Sequence, residues 1–175
     1  MNFNELLLHL DNPQVYTGKE INVIKKDFDR SGINICLVFP DTYEIGMSHY
    51  GIKILYHFLN QFPRVNAERC FLPGHRSIPV FQSSKVPLFS LENRIPLKDF
   101  DLLAFSLLSE MNVTNVLLAL ELAGIPLKSR DRQGHDPLIA GGGISTINPE
   151  PLRDFLDFFG IGDGEALFPD IIHTL

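Results

Sequence analysis

Four stretches of this 175-residue chain place glycine, carboxylate, hydroxyl and imidazole groups directly behind apolar runs. The first reads Pro40-Asp41-Thr42-Tyr43-Glu44-Ile45-Gly46-Met47-Ser48-His49, and the second Ser106-Leu107-Leu108-Ser109-Glu110-Met111-Asn112. The third is Ala140-Gly141-Gly142-Gly143, continuing to Asn148-Pro149-Glu150, and the fourth is Gly162-Asp163-Gly164-Glu165. Small residues let a backbone approach a flat ligand closely, and imidazole is a donor to metals near neutral pH. Each stretch also has a plain reading. Gly141 to Gly143 suit a tight strand-to-helix turn, Gly162 and Gly164 frame a helix start, and Asp41 and Asp163 serve as caps. Glu44 reads as a solvated charge, and His49 first as a surface or capping histidine. No nucleophile–base spacing stands out, and carboxylates on a rim are no acid–base pair without geometry. The combination points to binding, with no catalytic residue and no metal-ligand set expected in this chain.

The elements that must position these residues follow from periodicity. Short apolar runs at Ile33 to Phe39, Leu102 to Leu108, Pro137 to Ala140 and Leu156 to Ile161 suit strands buried on both faces. Helical stripes alternate with them: Ile52, Leu55, Tyr56 and Leu59, with Ser48 as the expected N-cap, then Val113, Val116, Leu117 and Leu120, stopped by Gly124 and Pro126. A last helix is expected from Gly164, with Glu165 at its positive end. Such alternation predicts an α/β fold, a three-layer doubly wound parallel sheet of the flavodoxin-like kind. Residues 1–32 read as an N-terminal arm, helical where Phe3, Leu6, Leu7 and Leu10 share a face, and residues 33–175 as the domain. Between Ala67 and Asp99 four prolines crowd the chain; Ala67 to Phe71 is expected as the second strand and Pro87 to Leu91 as a short extra one. In an open parallel sheet, ligands bind beyond the carboxyl ends of the strands. All four polar stretches fall there.

Composition narrows the function classes. The formal charge of −6 speaks against a surface built to neutralise phosphates, so nucleic acid is not an expected partner. Lys25, Lys26 and Arg30 read as a solvated face. Cys36 and Cys70 show no pairing signature, which suits a reducing, cytoplasmic setting. There is no apolar stretch of the length a membrane span needs, and Met1 to Asp11 lacks the marks of a secretion signal. Neither a Gly-x-Gly-x-x-Gly run nor a P-loop is present, which lowers a nucleotide-binding reading.

The joint pattern resembles the cobalamin-binding domain family, whose signature is Asp-x-His-x-x-Gly, then Ser-x-Leu, then Gly-Gly. Asp41 and Gly46 stand in register with the first element, Ser106-Leu107-Leu108 supplies the second, and Gly141-Gly142 the third. More narrowly, FPDTYEIGMSHYGIKILYHFLN, PLFSLENRIPLKDFDLLAFSL, TNVLLALELAGIPL, AGGG with NPEPL, and IGDGE are similar to the N-terminal region of a group of radical S-adenosylmethionine (radical SAM) proteins. The likeness covers nearly the whole chain. It implies a Rossmann-like, cobalamin-binding-like module ahead of a barrel that carries S-adenosylmethionine and a [4Fe-4S] cluster on a Cys-x-x-x-Cys-x-x-Cys motif. That triplet is absent from this sequence, and two isolated cysteines do not hold such a cluster. The radical chemistry is therefore expected in a barrel domain joined in cis or supplied in trans. A chain stopping at Leu175, inside a helical stretch, is expected to be one piece of a longer polypeptide.

Tyr43 occupies the slot where the family has histidine. A phenol of pKa about 10 is a poor cobalt ligand, so histidine-ligated binding is not expected. Two readings stay open: a corrin held with no protein ligand below the cobalt, or a scaffold that positions the barrel and has lost its cofactor. The resemblance implies a binding set of Asp41, Tyr43, Glu44, Gly46, Ser48, His49, Ser106, Leu108, Glu110, Gly141, Gly142, Gly143, Gly162, Asp163 and Gly164. In it Ser106 bonds the nucleotide tail, and His49 is a conceivable substitute ligand.

Overall fold

A computed structural model describes residues 2–175. Five strands, β1 (Ile33–Thr42), β2 (Val65–Leu72), β3 (Leu102–Ser106), β4 (Leu138–Gly142) and β5 (Phe158–Gly160), form one sheet in the order β2-β1-β3-β4-β5. Every neighbouring pair is parallel. The alternation of side chains along each strand sorts them into two cores. Ile35, Leu37, Leu102 and Ala140 face one side, where α3 (Tyr50–Leu59) and α6 (Gly164–Thr174) pack through Ile52, Tyr56, Leu59 and Phe168. Cys36, Val38, Leu103, Phe105 and Ile139 face the other. They meet α5 (Asn112–Ala123) through Val116 and Leu120, α4 (Ile78–Ser84) through Phe81, and α1 (Phe3–Leu7) through Leu6. This is the predicted three-layer α/β architecture, with the flavodoxin-like strand order.

Several local expectations change. The stretch after β1 is helical, α2 (Tyr43–Ser48), and ends at Ser48, so Ser48 does not cap α3. His49 holds the N-cap position of α3 without a side-chain cap bond, and the Ser48 hydroxyl donates instead to the Ile45 carbonyl at 2.6 Å. Gly46 makes α2 fit, because a Cβ there would sit 2.3 Å from the Phe71 ring. Pro87 to Leu91 is no strand; a single antiparallel bridge joins Phe89 to Pro96. The prolines also leave room for α4, since Pro79 sits in its first turn, where no N–H is needed.

β2 is an edge strand, yet all eight of its residues are buried. An open edge exposes unpaired backbone groups, and here side chains and the arm close it. The Asn60 amide accepts from Ala67 N at 3.2 Å and donates to Ala67 O at 2.9 Å, in the manner of a neighbouring strand. Leu91 N donates to Arg69 O at 2.7 Å, and Glu92 accepts from Arg69 N at 2.7 Å. Lys26 is not the solvated charge expected. Its ammonium donates to the carbonyls of Asn60, Phe62 and Val65 at 2.8, 3.0 and 2.6 Å, where the C-terminus of α3 favours a cation. Tyr56 fixes the arm next to it, its hydroxyl accepting from Ile24 N and donating to Ile24 O. No described helix is long and apolar enough to cross a membrane.

Candidate functional site

The strand ends converge. Leu107 N, leaving β3, donates to Gly142 O of β4 at 2.7 Å, and Ser145 N returns to Leu107 O at 3.1 Å. The Thr146 hydroxyl donates to Gly143 O at 2.7 Å and approaches Gly160 O of β5 at 3.4 Å. Asn112 opens α5 with its side-chain oxygen accepting from Leu108 N and Ser109 N at 3.0 and 3.1 Å. Asn115 reaches back to Pro40 O of β1 at 2.8 Å. Asn112 falls in the second polar stretch, but Asn115 and Thr146 were not legible as site-formers. Their type is common in loops, and only the crossing of distant turns gives them partners.

Below this rim, between α3 and α6, lies a cleft of about 230 Å³. His49, Ser106, Leu108, Gly141, Gly142, Gly143, Gly162, Asp163 and Gly164 line it, with apolar walls that include Leu55, Leu167, Phe168 and Ile171. Its floor is made of small residues, Ala104, Ala140, Gly142 and Gly160. A Cβ on Gly142 would meet nothing within 4 Å, so that glycine faces open space. A Cβ on Gly164 would lie 2.7 Å from Leu55, so this glycine lets α6 close on α3. His49 Nδ1 is buried without a hydrogen-bond partner, and its ring leans on Phe39 at 5.5 Å between centroids.

The remaining residues of the predicted set stand outside the cleft. Asp41 accepts from Thr42 N at 2.7 Å, and Gly46 is packed under Phe71. Ser48 and Glu110 are exposed. Tyr43 and Glu44 belong to a separate pocket on the β2 side, against the arm. The Tyr43 hydroxyl donates to Glu20 at 3.1 Å, and its ring meets Phe71 edge-on at 5.5 Å. Burial, with the Glu20 charge beside it, raises the Tyr43 pKa above the usual phenol value, so this side chain stays neutral and protonated at physiological pH. Cys36 and Cys70 lie buried in the core on the α5 side, away from the rim, and burial pushes the Cys36 thiol up.

The cleft carries one sign of charge. Asp163 and Glu165 line it with no lysine or arginine, and residues 106–127, 141–152 and 161–175 contain no lysine or arginine. Helix starts alone do offer N–H groups to an anion, but no side-chain cation in these segments supports one.

A family model described as radical SAM proteins, N-terminal, matches residues 51–175. The match begins just after the α2 segment, so Tyr43 and His49 precede it. A comparison with curated proteins finds no match. Among solved structures, a protein from Burkholderia pseudomallei described as pilus assembly-related aligns at 11% identity, with a TM-score of 0.45 over 86% of this chain and 93% of the other. That likeness is too loose to carry an argument.

Proposed function

Because the chain belongs to the family of N-terminal regions of radical SAM proteins, we propose that it is an accessory domain that holds a cobalamin against a radical SAM barrel, with no histidine ligand below the cobalt. The observation that carries this reading is the cleft between α3 and α6, open at the sheet's carboxyl edge and floored by Gly142. At about 230 Å³ it is smaller than the roughly 300–1,000 Å³ of pockets that enclose a whole ligand. Such a slot would take a heteroaromatic nucleotide tail, and the Gly141 to Gly143 rim would hold the corrin. Ser106, in the lining of the cleft, would bond the tail, and the unpartnered His49 Nδ1 would offer a second polar contact. The corrin periphery is neutral amide, which suits a rim lacking lysine and arginine, and the single phosphate of the tail would have only backbone N–H groups at the helix starts to meet it. When bound, the cofactor supplies a cobalt centre for methyl or electron transfer. This chain's part is to orient it. Cluster and S-adenosylmethionine belong to the barrel.

The test is titration of the folded chain with hydroxocobalamin and methylcobalamin, followed by visible spectroscopy. Saturable binding by the native chain, lost when Gly142→Phe fills the slot, is the expected result. A folded protein that binds neither at high-micromolar ligand ends the proposal. A second reading, a scaffold that has lost its cofactor, draws on the apolar side chains crowning the rim: Met111 is 83% exposed, Ile147 79%, Ile161 70% and Ile144 68%. Neighbouring exposed apolar groups mark protein contacts. A chain that binds the barrel but no corrinoid would favour that reading.

A further inference from the structure

The second pocket lies on the far side of β1 from the glycine cleft. It is a recess of about 140 Å³ between the arm, α2 and the end of β2. Four aromatic residues line it, Tyr16 and Tyr43 with Phe71 and Phe89, together with two carboxylates, Asp11 and Glu44. No lysine, arginine or histidine lines it. Arg69, a buried cation outside the lining, is bonded to Glu92 through Nε at 2.6 Å, with its Nη2 left without a hydrogen-bond partner. Asp11 and Glu44 are exposed and carry no partner-bound charge among the described ion pairs, so both face solvent at the pocket. The walls are firm: the Tyr43 and Phe71 rings meet edge to face, Tyr16 packs against Phe89 at 6.4 Å, and Asp11 N is tied to the Ser77 hydroxyl at 3.0 Å.

Aromatic faces attract cations through their quadrupole, and a carboxylate at the mouth adds to that attraction. An anion would face the Asp11 and Glu44 carboxylates, with only the N-terminus of the short helix α2 to favour it. A neutral apolar group would leave both carboxylates without a counter-charge. The volume is well under that of a pocket for a whole small molecule, and it suits a single ammonium or guanidinium head. We propose that this recess is a site for an organic cation, a guanidinium or alkylammonium group, distinct from the glycine cleft. The shared chemistry has two sources, a free small amine or guanidine and an arginine or lysine side chain of a partner protein.

Gly74 lines the recess, is not in the left-handed region, and a Cβ there meets nothing within 4 Å, so a larger side chain at this position is expected to obstruct the pocket. The experiment is a ¹⁵N–¹H NMR titration of the full 175-residue chain with methylguanidinium chloride, tetramethylammonium chloride and Nα-acetyl-arginine methylamide, against sodium chloride at equal ionic strength. Saturable shifts at the amides of Thr42, Tyr43, Glu44 and Gly74 are expected, absent with sodium chloride. They disappear in Gly74→Leu, and Glu44→Gln weakens them about fivefold. Acetyl-arginine methylamide binding at least tenfold more tightly than methylguanidinium assigns the source to a partner's side chain, and equal affinities assign it to a free cation. Shifts no larger than those from sodium chloride, or shifts that survive Gly74→Leu in a folded protein, overturn the proposal. Because the glycine cleft is untouched by these variants, cobalamin titration of the same proteins reads that site separately.

Discussion

One carboxylate, Glu92, binds both the side chain and the backbone of the same residue, Arg69. Its Oε1 accepts from Arg69 Nε at 2.6 Å, and its Oε2 accepts from Arg69 N at 2.7 Å. Both residues are buried, at 1% and 4% exposure, and the guanidinium also lies over the Tyr56 ring at 4.2 Å. The pair closes the outer edge of β2, where a strand would otherwise be open to pairing.

Removing one partner of a buried ion pair leaves the other charge without compensation, and this typically costs about 3–5 kcal/mol. Glu92→Ala is expected to lower unfolding stability by that amount at pH 8, measured by urea denaturation. The double variant Arg69→Met with Glu92→Leu removes both charges and is expected to be more stable than Glu92→Ala. A single variant as stable as the native protein would mean that this edge is solvated.

Glu92 also sets a pH dependence. Desolvation raises its pKa from 4.5 to about 7, outweighing the attraction of Arg69. Between these values the unfolded chain ionises while the folded side chain keeps its proton. The native state then binds more protons, and stability falls as pH rises. This proton-linked part of its contribution is whole below about pH 4.5 and lost by about pH 7, a span of roughly 3 kcal/mol. Glu92→Gln lacks this titration. The stability of the native protein minus that of Glu92→Gln, taken from urea midpoints at several pH values, should decline across that window. A flat or rising difference contradicts it.

Adjacent glycines on the rim should respond in opposite ways. Gly143 has φ near 113°, a conformation side chains rarely adopt, and a Cβ there would lie 2.6 Å from Leu107 O. Gly142 has ordinary backbone angles and open space beside it. Gly143→Ala is expected to destabilise the fold by about 1–3 kcal/mol, and Gly142→Ala by less than about 0.5 kcal/mol. Thermal denaturation of the two variants decides; equal losses would mean that the turn relaxes freely.

What the sequence disclosed follows the same physics. Strands buried on both faces show as unbroken apolar runs, so β1 and β3 were legible, and alternation with helices gave the parallel sheet. β2 was legible only in part, because Glu68 and Arg69 interrupt it. Those charges are tolerated through Glu92 and Asn93, more than twenty residues on. Helix α2 stayed hidden because Gly46 in a six-residue stretch reads as a turn, whereas the Phe71 ring is what demands it. The glycine rim was legible from its place behind the strands. The separation of Tyr43 from the cleft was not, since it depends on Glu20 in the arm.

That link between Tyr43 and Glu20 is the last point open to measurement. The Tyr43 hydroxyl gives Glu20 its one hydrogen bond from a side chain among the described residues, through Oε1. The other carboxylate oxygen is buried without a hydrogen-bond partner, 3.9 Å from Arg69 Nη2, which is also buried and unpartnered. The middle of the arm is therefore held to α2 by one charge-assisted hydrogen bond, worth about 1.5–3 kcal/mol, while Ile24 and Lys26 anchor it further along. Tyr43→Phe removes that contact and leaves the ring packing on Phe71. Local opening should then become roughly ten- to a hundredfold more frequent, seen as faster amide hydrogen exchange over residues 17–23, with residues 24–28 unchanged. Glu20→Gln keeps the acceptor oxygen and should exchange more slowly than Tyr43→Phe. If exchange in both variants matches the native chain, the arm is held by its Ile24 and Lys26 anchors alone.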